Sequence, residues 1–379
     1  MTQRRNFLKL IGGGTIVAAG AAAGFMYASA PSSSAREPWR LAGRYDDVRR
    51  NCLSYALLAP NPHNRQPWLV ALDGEDGITL FCDLDRRLPA TDPFDRQITI
   101  GCGAFLELLA MSAAQQGYRA EITPFPEGED FQTLDNRPIA YVRLVPDASV
   151  SPDPLFEHVL ERRSNKEVYE PTDVPVEALI ALQEAGRSFG VDALTIGNTE
   201  LAAQLRDLTW QGHYVESTTS ATMQESVDLM RIGRRQVSAN PDGIELEGAI
   251  FTLGQWLGFI TPEALGDPTS SAFQQGLELY RTMANSARAF GWLTTPDGER
   301  VHQLNAGRSY VRLNLRATQL GLGIHPWSQP LQEYAEMSEL YHQVHGLIGQ
   351  DQRIQMLFRI GYAKPVIPTP RRGLDAHIV

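Results

Sequence analysis

Residues 59–68 read Ala-Pro-Asn-Pro-His-Asn-Arg-Gln-Pro-Trp. Asn61, His63, Asn64, Arg65 and Gln66 carry hydrogen-bonding side chains. Pro60, Pro62 and Pro67 stiffen the backbone between them, so little entropy is lost when the turn meets a ligand. Asn64 can donate and accept at once, which suits a molecular edge that alternates donors and acceptors; Gln66 reads as a brace of the turn and Trp68 as core at the start of a strand. A second group, Arg162-Arg163-Ser164-Asn165-Lys166, combines a forked donor, a hydroxyl and a compact ammonium, a set able to hold an oxyanion. Taken alone, the same run reads better as a solvated charge cluster capping a helix. Arg371 and Arg372 lie beside prolines that stiffen the tail and could close an anion site. No CxxC, HExxH, GxSxG or Walker-type pattern occurs, and GCG at 101–103 lacks the third glycine of a dinucleotide fingerprint. The informative residues are therefore suited to binding, and a metal has no support.

These groups need elements to position them. Apolar spacing at Val48, Cys52, Tyr55 and Leu58 predicts a helix that ends before Pro60. WLVAL (68–72) and ITLFC (78–82) flank DGEDG, a hairpin signature. A long helix from about Ile100 to Gln116 follows, then strand-like runs at 119–123 and 139–145. Ser, Asp and Pro between Pro146 and Pro154 mark a junction. Helices are expected near 175–187, 198–216, 219–236 and 299–320, with a Gly/Pro-punctuated region to about 270 and a final strand at 354–363.

The chain has 379 residues, 43% apolar and 21% charged, with a formal charge of −10. This composition belongs to a globular protein of about two domains, and the acidity argues against a nucleic-acid partner. Three cysteines are too few for a disulfide framework. Arg4 and Arg5 precede Phe7-Leu8-Lys9 and an uncharged run from Leu10 to Ala30, which resembles a twin-arginine export signal. Ala28-Ser29-Ala30 and Ser33-Ser34-Ala35 are competing cleavage sites; an uncleaved membrane tether is the alternative. Residues 31–40 read as a Ser/Pro linker. The expected division is 1–35 signal and linker, 36–150 first half, 151–379 second half with a C-terminal tail.

Offsetting the chain by 204 residues aligns Gly103, Leu109, Ala113, Gln115 and Gly117 with Gly307, Leu313, Ala317, Gln319 and Gly321. Either the two helices share the chemistry of a helix end, or the halves are copies of one α+β unit. The turn at 59–68 resembles the Ala-Pro-Ser-x-x-Asn-x-Gln-Pro-Trp segment of the nitroreductase family, with Asn61 where serine is usual. Residues 162–166 resemble that family's Arg-x-Ser-x-Arg/Lys phosphate motif. The motif order, the export signal and the ending RIGYAKPVIPTPRRGLD look most like the Acg-like branch.

This resemblance implies an α+β nitroreductase-like fold of two fused units forming an intramolecular pseudo-dimer, hence a monomer, with one FMN between the halves. Pro60, Asn61, Pro62, Asn64 and Gln66 would serve the flavin ring, and Arg162, Ser164, Lys166, Arg371 and Arg372 the phosphate. Arg65 is a candidate for tuning the reduced ring. Asp85-Arg86-Arg87 and Asp92 to Arg96 recur in this branch and read as a structural ion-pair network. The implied activity is ping-pong hydride or electron transfer to nitroaromatic or quinone-like acceptors, with small-molecule donor and acceptor as partners. Export, to a periplasmic or membrane-tethered location, would remove the protein from NAD(P)H. That favours another donor, or else an FMN-holding protein whose lid, drawn from residues 210–265, covers the flavin and prevents turnover.

Overall fold

A computed structural model describes residues 24–379. Arg4, Arg5 and most of the uncharged N-terminal run lie outside the described residues. Residues 24–29 are helical, and a 3-10 turn at Ser34–Arg36 leads into α1 (Glu37–Leu41). The stretch at 31–40 is not the linker its composition suggests. Ser32, Ala35, Arg36 and Trp39 are buried. Ser32 can go inside because its hydroxyl meets that of Ser238 at 2.8 Å, and Arg36 because it pairs with Glu245 at 2.7 Å and Glu247 at 2.8 Å.

Asp47 caps α2 (Val48–Ala56) by accepting from the Arg49 and Arg50 N–H groups. The turn at 59–68 then feeds β1 (Trp68–Asp73), which pairs antiparallel with β2 (Gly77–Cys82) from Trp68↔Cys82 to Asp73↔Gly77. The helix α3 (Arg96–Gln115) leads to β3 (Tyr118–Pro124) and β4 (Ala140–Pro146). This first sheet runs β1-β2-β4-β3, antiparallel throughout.

The second half repeats the plan. After α4 (Val176–Gly186) come β5 (Asp192–Ile196) and then an excursion in place of a hairpin turn: α5 (Glu200–Thr218), α6 (Ser220–Asp228), β6 (Met230–Ile232), α7 (Gly233–Ala239), β7 (Ile244–Leu246), α8 (Ala249–Trp256), α9 (Pro262–Gly266) and α10 (Ser271–Asn285). The unit resumes with β8 (Ala289–Thr295), α11 (Arg300–Gln319), β9 (Gly323–Pro326), α12 (Ser338–Ile348) and β10 (Arg353–Gly361). Its sheet runs β5-β8-β10-β9, again antiparallel. Strand for strand this matches the first sheet, with α11 in the place of α3.

The two equivalent helices cross at their glycines. A Cβ on Gly103 would overlap the Leu304 carbonyl oxygen, and one on Gly307 would overlap the Ile100 carbonyl oxygen. Each contact becomes the other when 204 is added to or subtracted from the residue numbers. The first residues of the helices obey the same relation. Buried Arg96 donates to the Leu331 and Gln355 carbonyls of the second half, and buried Arg300 to the Phe94 and Asp130 carbonyls of the first. The protein is thus an α+β chain of two fused, pseudo-symmetric units.

Two departures have local causes. The helix expected at 219–236 breaks because Gly233 takes a φ of 76° and β6 pairs in parallel with β7. β8 lacks apolar alternation because every one of its residues is buried.

The halves also interlock. Leu155, Phe156 and Val159, just past the expected boundary, pack into the first half's core. The tail returns to the first sheet, where the Val70 N–H donates to the His377 carbonyl at 2.8 Å and the Val379 N–H to the Val70 carbonyl at 3.0 Å.

Candidate functional site

The turn sits on α3, where Gly101 allows close approach: a Cβ there would lie 3.2 Å from that of Asn61. Three non-glycine residues adopt left-handed backbone, His63 (φ 45°), Asn64 (51°) and Gln66 (51°). Such conformations cost about 1–3 kcal/mol each and persist only where neighbours enforce them. Here the Gln66 N–H donates to Asn61 Oδ1 (2.7 Å), Gln66 Nε2 to the Pro241 carbonyl (2.9 Å), and the Gly243 N–H to the Asn64 carbonyl (3.2 Å). Arg372 N–H closes the set by donating to Gln66 Oε1 at 2.8 Å. Gln66 is fully buried and its amide is wholly engaged, so it braces the turn. Pro60 and Pro62 flank Asn61, whose amide is also used inside the turn.

Asn64 departs from its expected role. Its Nδ2 donates to the Pro370 carbonyl (3.0 Å) and its Oδ1 accepts from Arg371 Nη1 (2.6 Å), so both ends of the amide hold the tail. Two buried nitrogens of this turn have no hydrogen bond, Trp68 Nε1 in the core and His63 Nδ1. Burial, and then the charges of Lys166 and Arg65, push the His63 pKa down to about 4, leaving a neutral ring at pH 7.

Behind the turn lies a cluster of buried guanidiniums. Arg162 Nη2 and Arg371 Nη2 both donate to the Leu58 carbonyl, at 3.1 and 3.2 Å, so the two side chains are neighbours. Arg371 also reaches the Leu57 and Ala59 carbonyls, and its N–H donates to the Ala35 carbonyl at 2.8 Å. Among the described residues neither guanidinium has a carboxylate as hydrogen-bond partner, and Arg162 Nε and Nη1 have no partner at all. Burial lowers the Arg162 pKa to about 10; burial and then the Arg162 charge lower that of Arg371 to about 9. Trp39 walls the cluster, with the Arg163 guanidinium 4.4 Å and that of Arg371 5.6 Å from ring centroids. Ser164, half-buried, stands beside the Tyr310 hydroxyl of α11. Glu245 acts on Arg371 only through space; two like charges held inside, neither hydrogen-bonded to an acid, form a site suited to an anion.

Lys166 does not join this cluster. It is exposed and makes no ion pair among the described residues, yet its charge bears on His63, His213, His325, Glu216 and Glu245. These groups come from the turn, the excursion and β9. Among them His213 stacks on Tyr280 at 3.9 Å, with Trp327 edge-on to both. Arg359, fully buried, donates through Nε to His325 Nδ1 at 3.1 Å. Glu216 accepts from Gln332 Nε2 at 2.8 Å, and burial raises its pKa to about 7. His325, Trp327 and Arg359 carry no sequence signal because β9 and β10 meet α10 only in the folded chain.

Arg65 is held by other groups: Nε and Nη2 donate to the Arg86 and Asp85 carbonyls at 3.2 and 2.8 Å, and Nη1 lies 3.7 Å from Asp242. The reason is Asp242, a buried carboxylate that also binds Arg86 at 2.6 Å and Arg231 at 3.0 Å. A tuning role for Arg65 is therefore not supported. The Arg372 guanidinium likewise turns toward the Ala376 carbonyl (2.8 Å) and Asp83 (3.9 Å), leaving only its backbone N–H in the turn. Arg87 pairs with Asp95 (3.2 Å) and Arg96 with Glu333 (3.1 Å), as a structural network should.

The chain matches no family profile. It is 27% identical over 337 residues to a Mycobacterium tuberculosis protein provisionally named an NAD(P)H nitroreductase, covering 86% of this chain and 89% of the relative. A second such protein of that organism, acg, is 28% identical over 356 residues, covering 87% and 94%. Among solved structures, the FMN-dependent nitroreductase NfnB of Mycobacterium smegmatis, in complex with NADPH, aligns at 18% identity and a TM-score of 0.37, covering 59% of this chain and 96% of that one.

Proposed function

We propose that this protein is an FMN-dependent oxidoreductase of the nitroreductase type, from the Acg-like branch, acting on nitroaromatic or quinone-like acceptors. The observation that carries this reading is the buried pair Arg162 and Arg371, neither hydrogen-bonded to a carboxylate among the described residues, with the open Nε and Nη1 of Arg162, where the first half's turn meets the second half's Arg-x-Ser-x-Lys segment. The names and length of the mycobacterial relatives support it.

The residues fit a flavin nucleotide. Arg162, Ser164 and Arg371 would hold the phosphate; His63 and Lys166 would face the ring. When bound, FMN supplies the hydride and electron transfer, which explains why no catalytic side-chain motif is needed. The chain contributes the surroundings. Neutral His63 offers Nδ1 without adding charge, and Lys166 supplies the positive charge assigned from sequence to Arg65. Glu216 can keep a proton on its carboxyl near neutral pH. The excursion from α5 to α10 limits water. Purification with FMN, and loss of it in Arg162→Ala or Arg371→Ala, tests the assignment. Each substitution leaves phosphate charge unpaired and should weaken retention by about 1.5–3 kcal/mol, some 10- to 100-fold. Full FMN content and unchanged affinity in both would refute it.

The excursion's grip on the turn, through Pro241, Asp242 and Gly243, favours a second reading: an FMN-holding protein with little turnover. Mixing the loaded protein anaerobically with NADH, NADPH or dithionite separates the two. Rapid bleaching by a nicotinamide supports the enzyme; bleaching by dithionite alone supports the holder.

Export by the twin-arginine route completes the proposal. Of the two candidate cleavage sites, the one after Ala30 suits the fold, since Ala35 is buried and its carbonyl binds Arg371. Replacing Arg4 and Arg5 by lysine should leave the protein in the cytoplasm, as cell fractionation would report; continued export would refute the route.

A further inference from the structure

The excursion carries an apolar face that is largely exposed, touched among the described residues by Phe25 at Trp256. Between Glu247 and Glu263 there is no charged residue. Along α8 and the loop after it, Ile250 is 79% exposed, Trp256 57%, Leu257 59% and Phe259 67%. Leu253 is also exposed, and Ile250, Leu253 and Leu257 follow the spacing of one helix face. Single exposed apolar residues are ordinary, but a contiguous group of this kind marks an interaction surface.

Three observations identify what covers it. First, the uncharged run from Leu10 enters the described part of the chain at this face: Phe25 packs edge-on against Trp256 at 5.4 Å, and Tyr27 is 68% exposed beside it. Second, the rim is basic although the chain is acidic. Arg234 lies over the Tyr27 ring at 4.4 Å and donates to the Ala30 and Pro31 carbonyls, while exposed Arg235 lines a groove of about 450 Å³ with Gln236, Asn240 and Gln255. Third, the nearest acids on the adjoining strand, Glu245 and Glu247, are both turned inward to pair with buried Arg36.

We propose that the exposed face of α8 and its following loop rests on an anionic lipid bilayer. Ile250, Leu257 and Phe259 enter the acyl boundary, Trp256 and Tyr27 lie at headgroup level, and Arg235 meets lipid phosphate in the groove between α7 and α8. Cleavage after Ala30 would remove Phe25 and Tyr27, uncover Trp256 further and leave the α8 face with Arg235 in place. The inference is independent of the flavin reading, since none of these residues belongs to the turn or the arginine cluster.

The test compares the full chain with its Trp256→Ser/Phe259→Ser variant, both carrying the same N-terminal run, by flotation with phosphatidylglycerol–phosphatidylcholine vesicles and with phosphatidylcholine alone. The parent should float with the anionic vesicles, and the double variant should bind at least ~10-fold less, because it loses two interfacial aromatic anchors. Arg235→Glu should reduce binding to the anionic vesicles alone. Leu257→Glu provides an independent variant should the double one melt early. Equal flotation of parent and variants would assign binding to the N-terminal run and overturn the proposal. So would a parent that fails to float, or one that dimerises without lipid through the same residues by analytical ultracentrifugation.

Discussion

Arg162 and Arg65 show what single residues disclose before folding and what they do not. Arg162 was singled out together with Ser164 and the tail arginines on shared anion chemistry, and in the folded chain it lies beside Arg371. Arg65 could not be placed from sequence, since the partner that turns it away, Asp242, lies far along the chain, and no local pattern announces a buried carboxylate shared by three arginines. Lys166 was legible as a cation but not in its place, which depends on histidines from three separate segments. Its placement leads to an expected outcome: in the FMN-loaded protein, Lys166→Ala should shift the flavin spectrum and midpoint potential more than it weakens retention, the reverse of Arg162→Ala, as spectrophotometric titration would check. Glu216 permits a second test. Its folded carboxyl, raised from 4.5 to about 7 chiefly by burial, keeps a proton that the unfolded chain has released, so its contribution to stability falls as pH rises through that window. Depressed histidines such as His63 and His213 act oppositely, losing stability as pH falls below 6.5 toward their folded values of about 4 and 3. These terms cancel in a comparison of parent with Glu216→Gln. The variant's stability relative to the parent should grow by up to about 3 kcal/mol between pH 4.5 and 8 in urea unfolding.

The elements were legible where local signals agree. The β1–β2 hairpin, α3 and α11 all lie close to their expected spans, because turn residues and apolar period point the same way. The excursion was not: its short helices and the parallel β6–β7 pair depend on contacts with the first half. The repeat that sequence left open is carried by the α3–α11 crossing, where glycines are required by the space available. Gly103→Ala and Gly307→Ala should each force the helices apart and cost about 3 kcal/mol or more, seen as a markedly lower melting temperature or failure to fold. An unchanged melt in either would mean the helices do not cross there. The same crossing explains why the turn can be strained: α3 beneath it is fixed from both sides.

The whole molecule behaves as a dimer written into one chain, and gel filtration of the protein should give a compact monomer. Neither half expressed alone should retain FMN, because Arg162 and Arg371 approach the turn from beyond residue 150 whereas the turn itself lies before it. Sequence anticipated this division of motifs but not the knotting together of the ends, where the segment at 32–39 and the tail meet over the arginine cluster. That meeting has a consequence in the order of synthesis. Arg371 leaves the ribosome after every strand of both sheets, and Val70 must then wait for Ile378 and Val379 to join its sheet. The arginine cluster is therefore completed only after the elements of both units have been made. A chain terminated after Pro370 would hold everything except one guanidinium and the segment that fastens it, and should emerge folded in large part but unable to keep its nucleotide. Cofactor retention would thus report that synthesis had passed Arg371 and the segment that fastens it.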